Sequence, residues 1–296
     1  MGGGPEWRHL RKCSRDDARM SETNNLLAGG SSQPKVGPKY IFSFGDSYTS
    51  TNFDINGEQP SSKKPFGNYD IGNHQTSAQG PVWIQLLATK HLDSRPVPTY
   101  NFAVGGASIP DNYTYQVEKQ YQPKYSENKF WHESNTLFTS WIGINDVSEA
   151  WWKKNTPLIL DRLDMYTKLL EQLWDTGARN FFIVNIPPLE RSPYIQDGDE
   201  TSIAHYASVI KVFNDNLPKH VAAFQDKHPN GMVMMYDAHK FFTRILDNPK
   251  EYGFKDNSSE GEEGCMWADG FHIRTGFDDL IAKDMAKAIA DFPFIV

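Results

Sequence analysis

A serine at the end of an apolar run is a candidate nucleophile in this chain of 296 residues. Ser47 lies in the segment Phe44–Thr49, which reads Phe-Gly-Asp-Ser-Tyr-Thr and directly follows the strand-like run Tyr40–Ser43. A serine hydroxyl is a weak nucleophile at its own pKa, so it needs a base, a group that orients the base, and hydrogen-bond donors for a developing oxyanion. Three later segments contain residues of these types.

The base and its orienting group are predicted in the C-terminal segment Asp269–His272, which reads Asp-Gly-Phe-His. A carboxylate three residues before an imidazole can accept a hydrogen bond from Nδ1 and leave Nε2 to take the serine proton. Asp269 and His272 therefore complete a candidate catalytic triad with Ser47. Taken alone, Asp269 could instead cap a helix, and His272 could be an ordinary, partly buried histidine.

Two other segments offer donors for an oxyanion. Paired glycines in Asn101–Ala107 allow a backbone N–H, that of Gly106, to approach a ligand without an obstructing Cβ. Asn145, in the segment Trp141–Asp146, offers a neutral side-chain NH₂ donor. With the backbone N–H of Ser47, Gly106 and Asn145 form the predicted oxyanion hole. Each segment alone is also compatible with a tight turn or a helix cap.

The four segments, in this order, resemble the sequence blocks of the GDSL or SGNH hydrolase superfamily, and the resemblance covers residues 38–296. Phe44–Thr49 and Asn101–Gly106 are most similar to the fungal acetylesterases of carbohydrate esterase family sixteen. This resemblance implies a serine esterase that releases acetyl groups from short acetylated hemicellulose sugars. Two alternatives stay open: a lipase-like or phospholipase-like enzyme for longer acyl chains, and a non-catalytic carbohydrate-binding protein on the same fold.

The residue patterns of several other chemistries are missing from the sequence. Thr49 stands where the nucleophile elbow Gly-x-Ser-x-Gly requires its last glycine. There is no His-Glu-x-x-His zinc signature, no Gly-x-x-x-x-Gly-Lys-Ser/Thr phosphate loop and no Gly-x-Gly-x-x-Gly dinucleotide fingerprint. The sequence therefore predicts neither a metal nor an organic cofactor.

Size and composition agree with one enzyme domain, and the family resemblance implies a small ester or an oligosaccharide ester as its substrate. A chain of this length with 39% hydrophobic residues can bury one sizeable core. The formal net charge of −7 argues against a nucleic-acid partner, because binding to phosphates depends on clustered Lys and Arg. No apolar run approaches the roughly 20 residues that cross a bilayer. We therefore expect a monomer without a membrane span.

Residues 1–37 differ from the rest, since they are rich in glycine and charge and lack a helix or strand pattern. We expect a disordered tail there, before a catalytic domain over residues 38–296. The start also lacks the apolar stretch of about 7 to 15 residues that a secretory signal needs. The family resemblance nevertheless favours secretion, so either the protein is intracellular or this segment replaces the natural N-terminus. Asn112 and Asn257 begin N-glycosylation acceptor triplets, which matter only on a secretory route.

Apolar patterning predicts strands that alternate with helices. The strands are predicted over Tyr40–Phe44, Thr99–Val104, Thr136–Gly143, Phe181–Asn185 and Met232–Tyr236. The clearest helices are predicted over Pro157–Thr176, Ser202–Lys227 and Gly276–Ile289. Pro218 is expected to kink or divide the second helix. The alternation indicates a three-layer α/β/α sandwich with a mainly parallel central sheet, whose ligands bind beyond the carboxyl ends of the strands. Ser47, Gly106 and Asn145 each follow such an end.

Several tryptophans near the motifs are candidates for contact with a sugar ring. They are Trp83, Trp131, Trp151, Trp152 and Trp267. Trp267 lies two residues before Asp269, and it is predicted, together with Trp151, to contact the substrate. Packing in the core is the alternative for each of them, because large aromatic side chains are mostly buried. Trp141, inside a predicted strand, is expected in the core.

Overall fold

The computed structural model describes residues 37–68, 70, 76–92, 95–127 and 130–290. The predicted tail lies outside the described residues, apart from Gly37. The described strands are β1 Tyr40–Gly45, β2 Thr99–Asn101, β3 Thr136–Trp141, β4 Asn180–Val184 and β5 Met232–Tyr236. They pair in parallel in the order β2-β1-β3-β4-β5. This parallel sheet confirms the predicted central layer.

Helical segments connect the strands. The α-helices are α1 Trp83–Leu86, α2 Gln122–Tyr125, α3 Ile144–Trp152, α4 Leu158–Asp175, α5 Pro193–Gln196, α6 Glu200–Lys227, α7 Ala238–Asp247 and α8 Thr275–Ala290. Leu87–His91, Ile109–Tyr113 and Gln116–Tyr121 form π-helical turns, and Glu133–Asn135, Leu189–Arg191 and Pro249–Tyr252 form 3₁₀ turns. Within the described ranges, no helix combines the length and apolar character that crossing a membrane requires.

Helices pack on both faces of the sheet. On one face the ring of Phe181 in β4 lies 5.9 Å from that of Phe138 in β3 and 5.4 Å from that of Phe224 in α6. On the other face Trp141 of β3 contacts Trp83 of α1, with ring centroids 5.8 Å apart. Side chains three positions apart on a strand point to opposite faces, so β3 contributes to two separate cores. The predicted three-layer sandwich is confirmed.

The prediction for Pro218 is wrong in one respect, since α6 continues through it without a break. A proline inside a helix removes one backbone hydrogen bond and normally favours a kink or an end. Here Leu217 and Val221 are buried on either side of Pro218, and Phe224 continues the same apolar face. Tertiary packing of that face against the rest of the protein therefore keeps one long helix.

Candidate active site

Ser47 lies in the turn that follows β1, at the carboxyl end of the sheet. The last residue of the strand must be glycine, because a Cβ on Gly45 would lie 2.5 Å from the Trp141 carbonyl oxygen in β3. The buried Gln116 side chain holds the same residue from its other side: Oε1 accepts the Gly45 N–H at 3.0 Å, and Nε2 donates to the Gly45 oxygen at 2.8 Å. These contacts fix the strand end from which the Ser47 hydroxyl projects.

His272 reaches Ser47 from the loop before α8. Its Nε2 lies 2.8 Å from Ser47 Oγ, and its Nδ1 lies 2.9 and 3.0 Å from the two carboxylate oxygens of Asp269. Asp269 Oδ1 also accepts the backbone N–H groups of Phe271 at 2.8 Å and His272 at 2.7 Å. A carboxylate in this position favours the tautomer that carries its proton on Nδ1, which leaves Nε2 as an acceptor for the serine proton.

The carboxylate of Asp269 is kept ionised by its hydrogen bonds. Partial burial raises the pKa of Asp269, but the hydrogen bonds from the His272 ring and from two backbone N–H groups outweigh burial and lower the pKa to about 2. The Asp269 side chain is 54% exposed, whereas that of His272 is 22% exposed. Asp269 therefore offers a negative charge to the imidazole at neutral pH, although water screens part of its effect.

The two predicted oxyanion donors outside the nucleophile turn lie on the loop after β2 and in the first turn of α3. Gly106 follows β2 with a left-handed φ of 74°, and no atom lies within 4 Å of the place where its Cβ would stand. Asn145 lies in the first turn of α3, and its Nδ2 donates to the Ala107 oxygen at 2.9 Å. An amide NH₂ has two donors, and this bond uses one of them.

Asp146 holds the Gly106 loop against α3. Both of its carboxylate oxygens accept the Ile109 N–H, at 3.1 and 3.2 Å, and Arg162 Nε lies 3.4 Å from Oδ1. Burial raises the pKa of Asp146 to about 7, against the opposing effects of the Ile109 hydrogen bond and the Arg162 charge. From the sequence, the segment that ends at Asp146 was compatible with a helix cap, and no other role was predicted for Asp146. The one feature of the sequence that could have indicated this role of Asp146 is its position directly after Asn145.

Tyr48 joins the nucleophile turn to the loop that carries His272. The Tyr48 hydroxyl donates to the Phe271 carbonyl oxygen, and its ring centroid lies 5.5 Å from that of His272. The side chain is almost completely buried, which raises the pKa of Tyr48 well above its ordinary value. Tyr48 therefore keeps its proton and acts as a hydrogen-bond donor. The sequence motif contains Tyr48, but no role was predicted for it.

Asp46 is buried directly beneath Ser47. Its Oδ1 accepts the Tyr48 N–H at 3.0 Å. Burial raises the pKa of Asp46 to about 7, more than the Tyr48 hydrogen bond and the nearby His272 lower it, and Asp146 raises it further. The residue next to the candidate nucleophile thus titrates near neutral pH, whereas an ordinary aspartate titrates near 4.

The predicted substrate contact at Trp267 is wrong in the structure. The ring is 1% exposed, and its Nε1 donates to the Asn257 oxygen at 2.9 Å, so neither of its faces is open to a ligand. Trp267 instead anchors the loop that carries Asp269. Trp83 and Trp131 are also buried. Trp151 is half-buried and lines a cavity close to His272, so its predicted role stays a proposal.

Potential metal ligands are scattered in the part of the chain that the structure describes. There, no group of three or more His, Cys, Asp or Glu side chains lies close enough to hold a metal ion. The only cysteine of the described residues is Cys265, which is buried. The side chains in contact at Ser47 are its own hydroxyl, the imidazole of His272 and, on the far side of that ring, the carboxylate of Asp269.

Comparisons with known proteins show the family to which the chain belongs. The family model "GDSL-like Lipase/Acylhydrolase" matches residues 41–285. An acetylesterase of Thermothelomyces thermophilus is 32% identical over 275 residues, which cover 86% of this chain and 89% of that protein. A thermolabile hemolysin of Vibrio parahaemolyticus is 23% identical over 253 residues, covering 80% of this chain and 54% of the hemolysin. A crystal structure described as a GDSL-like lipase from Parabacteroides merdae shares the fold, with a TM-score of 0.56 and 14% identity over 86% of this chain and 97% of that one. The chain therefore belongs to the GDSL-like lipase/acylhydrolase family, and it is a carboxylic ester hydrolase.

Proposed function

We propose that the protein hydrolyses acetyl esters of carbohydrates, such as oligosaccharides derived from hemicellulose, through an acyl-serine intermediate. The observation that carries the serine chemistry is the 2.8 Å contact between His272 Nε2 and Ser47 Oγ, with Asp269 on the opposite side of the ring. The acetyl and carbohydrate parts of the proposal are supported by the similarity to the acetylesterase of Thermothelomyces thermophilus.

In the first half of the proposed reaction, His272 Nε2 removes the proton from Ser47 as Oγ attacks the ester carbonyl carbon. Asp269 holds the ring and stabilises the imidazolium. The tetrahedral intermediate then collapses: the bond to the leaving alcohol breaks, His272 gives its proton to that alcohol, and Ser47 keeps the acyl group. In the second half, His272 deprotonates a water molecule as that water attacks the acyl-serine. When the bond between Ser47 Oγ and the acyl carbon then breaks, His272 returns the proton to Oγ and the acid is released.

The developing oxyanion is held by the backbone N–H groups of Ser47 and Gly106 and by the side-chain amide of Asn145. Two contacts support this proposal: the Asn145 side chain is held by its hydrogen bond to the Ala107 oxygen, and Gln116 holds Gly45, two residues before Ser47. Pre-positioned donors stabilise the transition state more than water does, since they need no reorganisation. Removal of one such donor, as in Asn145→Ala, is expected to raise the barrier by about 3 to 4 kcal/mol.

The acyl specificity is tested with a chain-length series of p-nitrophenyl esters and with acetylated xylo-oligosaccharides. We expect the highest kcat/KM for the acetate ester and release of acetate from the oligosaccharides. A preference for octanoate or longer chains would contradict the proposal and favour a lipase-like enzyme, for which the apolar cavity close to His272 would supply an acyl site. Folded protein whose Ser47 does not react with a fluorophosphonate probe would instead favour a non-catalytic binding protein.

Three predictions about the whole chain stay proposals: a catalytic domain over residues 38–296, a monomeric state and secretion. Secretion rests on the family resemblance. Both predicted glycosylation sites, Asn112 and Asn257, are exposed in the structure. The Asn257 side chain donates to the Leu246 oxygen at 3.1 Å, so glycosylation there would alter that contact.

A further inference from the structure

An open cavity of about 510 Å³ lies next to the loop that carries His272. Its lining is mostly aromatic and includes Glu149, Trp151, Trp152, Tyr194, Tyr206 and Phe271. The volume falls within the range of roughly 300 to 1,000 Å³ that is typical of small-molecule sites. Trp152 is 75% exposed and Tyr194 is 61% exposed, whereas Tyr206 at the base is buried. Large aromatic rings that stay this exposed indicate a surface that a ligand covers.

The cavity borders directly on the loop that carries His272. The Phe271 ring lies edge-on to the His272 ring, with centroids 6.0 Å apart. The Phe271 carbonyl oxygen accepts a hydrogen bond from the Tyr48 hydroxyl. Tyr194 donates its backbone N–H to the Gly270 oxygen at 2.8 Å. A ligand in the cavity would therefore contact the residue adjacent to the catalytic base.

Helix α3 connects Asn145, a predicted oxyanion donor, with Trp152 in the wall of the cavity. Asn145 lies in the first turn of the helix, and Glu149 and Trp152 follow at spacings of four and seven residues, which place all three on one face. Seven residues at 1.5 Å each separate Asn145 from Trp152 by about 10 Å along the axis. An acetyl group bound at Ser47 is too short to reach Trp152, whereas a saccharide chain attached to the same ester extends that far.

The lining is suited to sugar rings. Pyranose rings present C–H groups on their faces, which pack on flat aromatic side chains, and hydroxyl groups at their edges, which need fixed polar partners. Glu149 supplies such a partner, because its carboxylate is held by hydrogen bonds from Lys153 and Arg162. An acetyl methyl group would leave a cavity of this size nearly empty.

We propose that this cavity binds the alcohol half of the substrate, the sugar rings of an acetylated oligosaccharide, and that Trp152 and Tyr194 determine specificity for it. The inference rests on the proposed function, since it assumes that the ester is a carbohydrate acetate. It assigns the acyl group to the small space around Gly106 and Asn145, and the sugar chain to the aromatic cavity.

The test compares Trp152→Ala and Tyr194→Ala with the matched control Tyr115→Ala, which removes a tyrosine that is 54% exposed and does not line the cavity. For each variant, kcat/KM is measured on an acetylated xylotriose and on ethyl acetate, whose alcohol ends short of Trp152. We expect the ratio of the two values to fall about tenfold for both cavity variants, which corresponds to the loss of one aromatic contact. Tyr115→Ala should keep the wild-type ratio.

The possible outcomes separate the inference from the proposed function. An unchanged ratio in both cavity variants, with wild-type enzyme active on the oligosaccharide, would overturn the inference and leave the proposed function standing. Wild-type enzyme that hydrolyses ethyl acetate but releases no acetate from the oligosaccharide would overturn both. With p-nitrophenyl octanoate as a third substrate, a loss of activity in the cavity variants that is confined to this ester would overturn the inference and assign the cavity to an acyl chain. Labelling of Ser47 by a fluorophosphonate verifies that each variant is folded.

Discussion

At the scale of single residues, the Asp269–His272 segment assembles most of the catalytic geometry by itself. Asp269 Oδ1 accepts hydrogen bonds from two backbone N–H groups of its own turn, and the carboxylate also accepts a hydrogen bond from Nδ1 of His272. Contacts within four residues therefore set the orientation of the imidazole. Only the 2.8 Å contact with Ser47 depends on the tertiary structure, since 225 positions separate those two residues.

Replacement of Asp269 by asparagine tests the role of this carboxylate. Asp269→Asn keeps the shape of the side chain but places an amide beside Nδ1, which removes the negative charge and favours the wrong tautomer. We expect kcat on p-nitrophenyl acetate to fall by about 100-fold or more, with a small change in KM.

The control for this prediction is Asp256→Asn. Asp256 also caps a turn, accepting the N–H groups of Ser258 and Ser259, and hydrogen bonds to Ser259 and Ser258 lower its pKa to about 2. Its oxygens accept hydrogen bonds from Ser258 and Ser259 rather than from His272, so its replacement should change kcat by less than about twofold. Equal losses in the two variants would show that the Asp269 effect is structural.

At the scale of elements, the ends of β1 and β3 meet where the nucleophile turn begins. Gly45 pairs with Trp141 in the parallel register of these strands. The close approach of the two backbones leaves no room for a side chain on Gly45, and Gln116 prevents the strand end from shifting away. The position of Ser47 therefore depends on a glycine two residues before it.

Gly45→Ala should disturb both stability and activity. The new Cβ would lie 2.5 Å from the Trp141 oxygen and 3.1 Å from Thr49 Oγ1. We expect a loss of about 1 to 3 kcal/mol in the free energy of unfolding, measured by urea denaturation, which is typical of overpacked sites. In the control Gly105→Ala, no atom lies within 4 Å of the new Cβ, and the change should stay within about 0.5 kcal/mol. A similar loss in both variants would contradict this explanation.

The elements also show which features local sequence could predict. β1 and β5 were predicted nearly to the residue, because short apolar runs bounded by turn residues are a local signal. β2 ends at Asn101 and β3 at Trp141, earlier than predicted. Although Val104 still donates its N–H to the Gly45 oxygen at 3.2 Å, the chain there already turns into the Gly106 loop.

Contacts between residues that are far apart in the sequence could not be predicted from local patterns. The hydrogen bond from Tyr48 to Phe271 joins residues 223 positions apart, and the bond between Gly45 and Gln116 spans 71. Trp267 was predicted at the substrate because it is close to Asp269 in sequence. Its burial depends on the turn around Asn257 that covers it, which no local pattern describes.

At the scale of the whole molecule, two buried carboxyl groups near the candidate active site should make the free energy of unfolding depend on pH. Asp46 accepts the Tyr48 N–H and Asp146 accepts the Ile109 N–H, and burial raises the pKa of each carboxyl group to about 7. A raised pKa means that the folded protein binds a proton more tightly than the unfolded chain. The free energy of unfolding should therefore fall as pH rises from about 4, the pKa of an unfolded aspartate, to about 7.

Asp46→Asn is expected to reduce this pH dependence. Asparagine stays neutral and keeps an oxygen that accepts the Tyr48 N–H, so it imitates the protonated form of Asp46. The slope of unfolding free energy against pH should become less negative by up to about 1.4 kcal/mol per pH unit between about pH 4 and 7. Urea denaturation at several pH values between about 4 and 7 measures this slope. Identical slopes in the variant and the wild-type protein would show that Asp46 does not titrate there.

The central claim, that Ser47 is the acylated nucleophile, is tested most directly by trapping the intermediate. The enzyme is mixed with p-nitrophenyl acetate, quenched in acid and digested, and the peptides are examined by mass spectrometry. We predict one acetylated peptide, modified on Ser47, and no such peptide in folded Ser47→Ala, whose kcat should fall by at least about 1,000-fold. Acetylation of a different side chain, or wild-type turnover by Ser47→Ala, would contradict the claim.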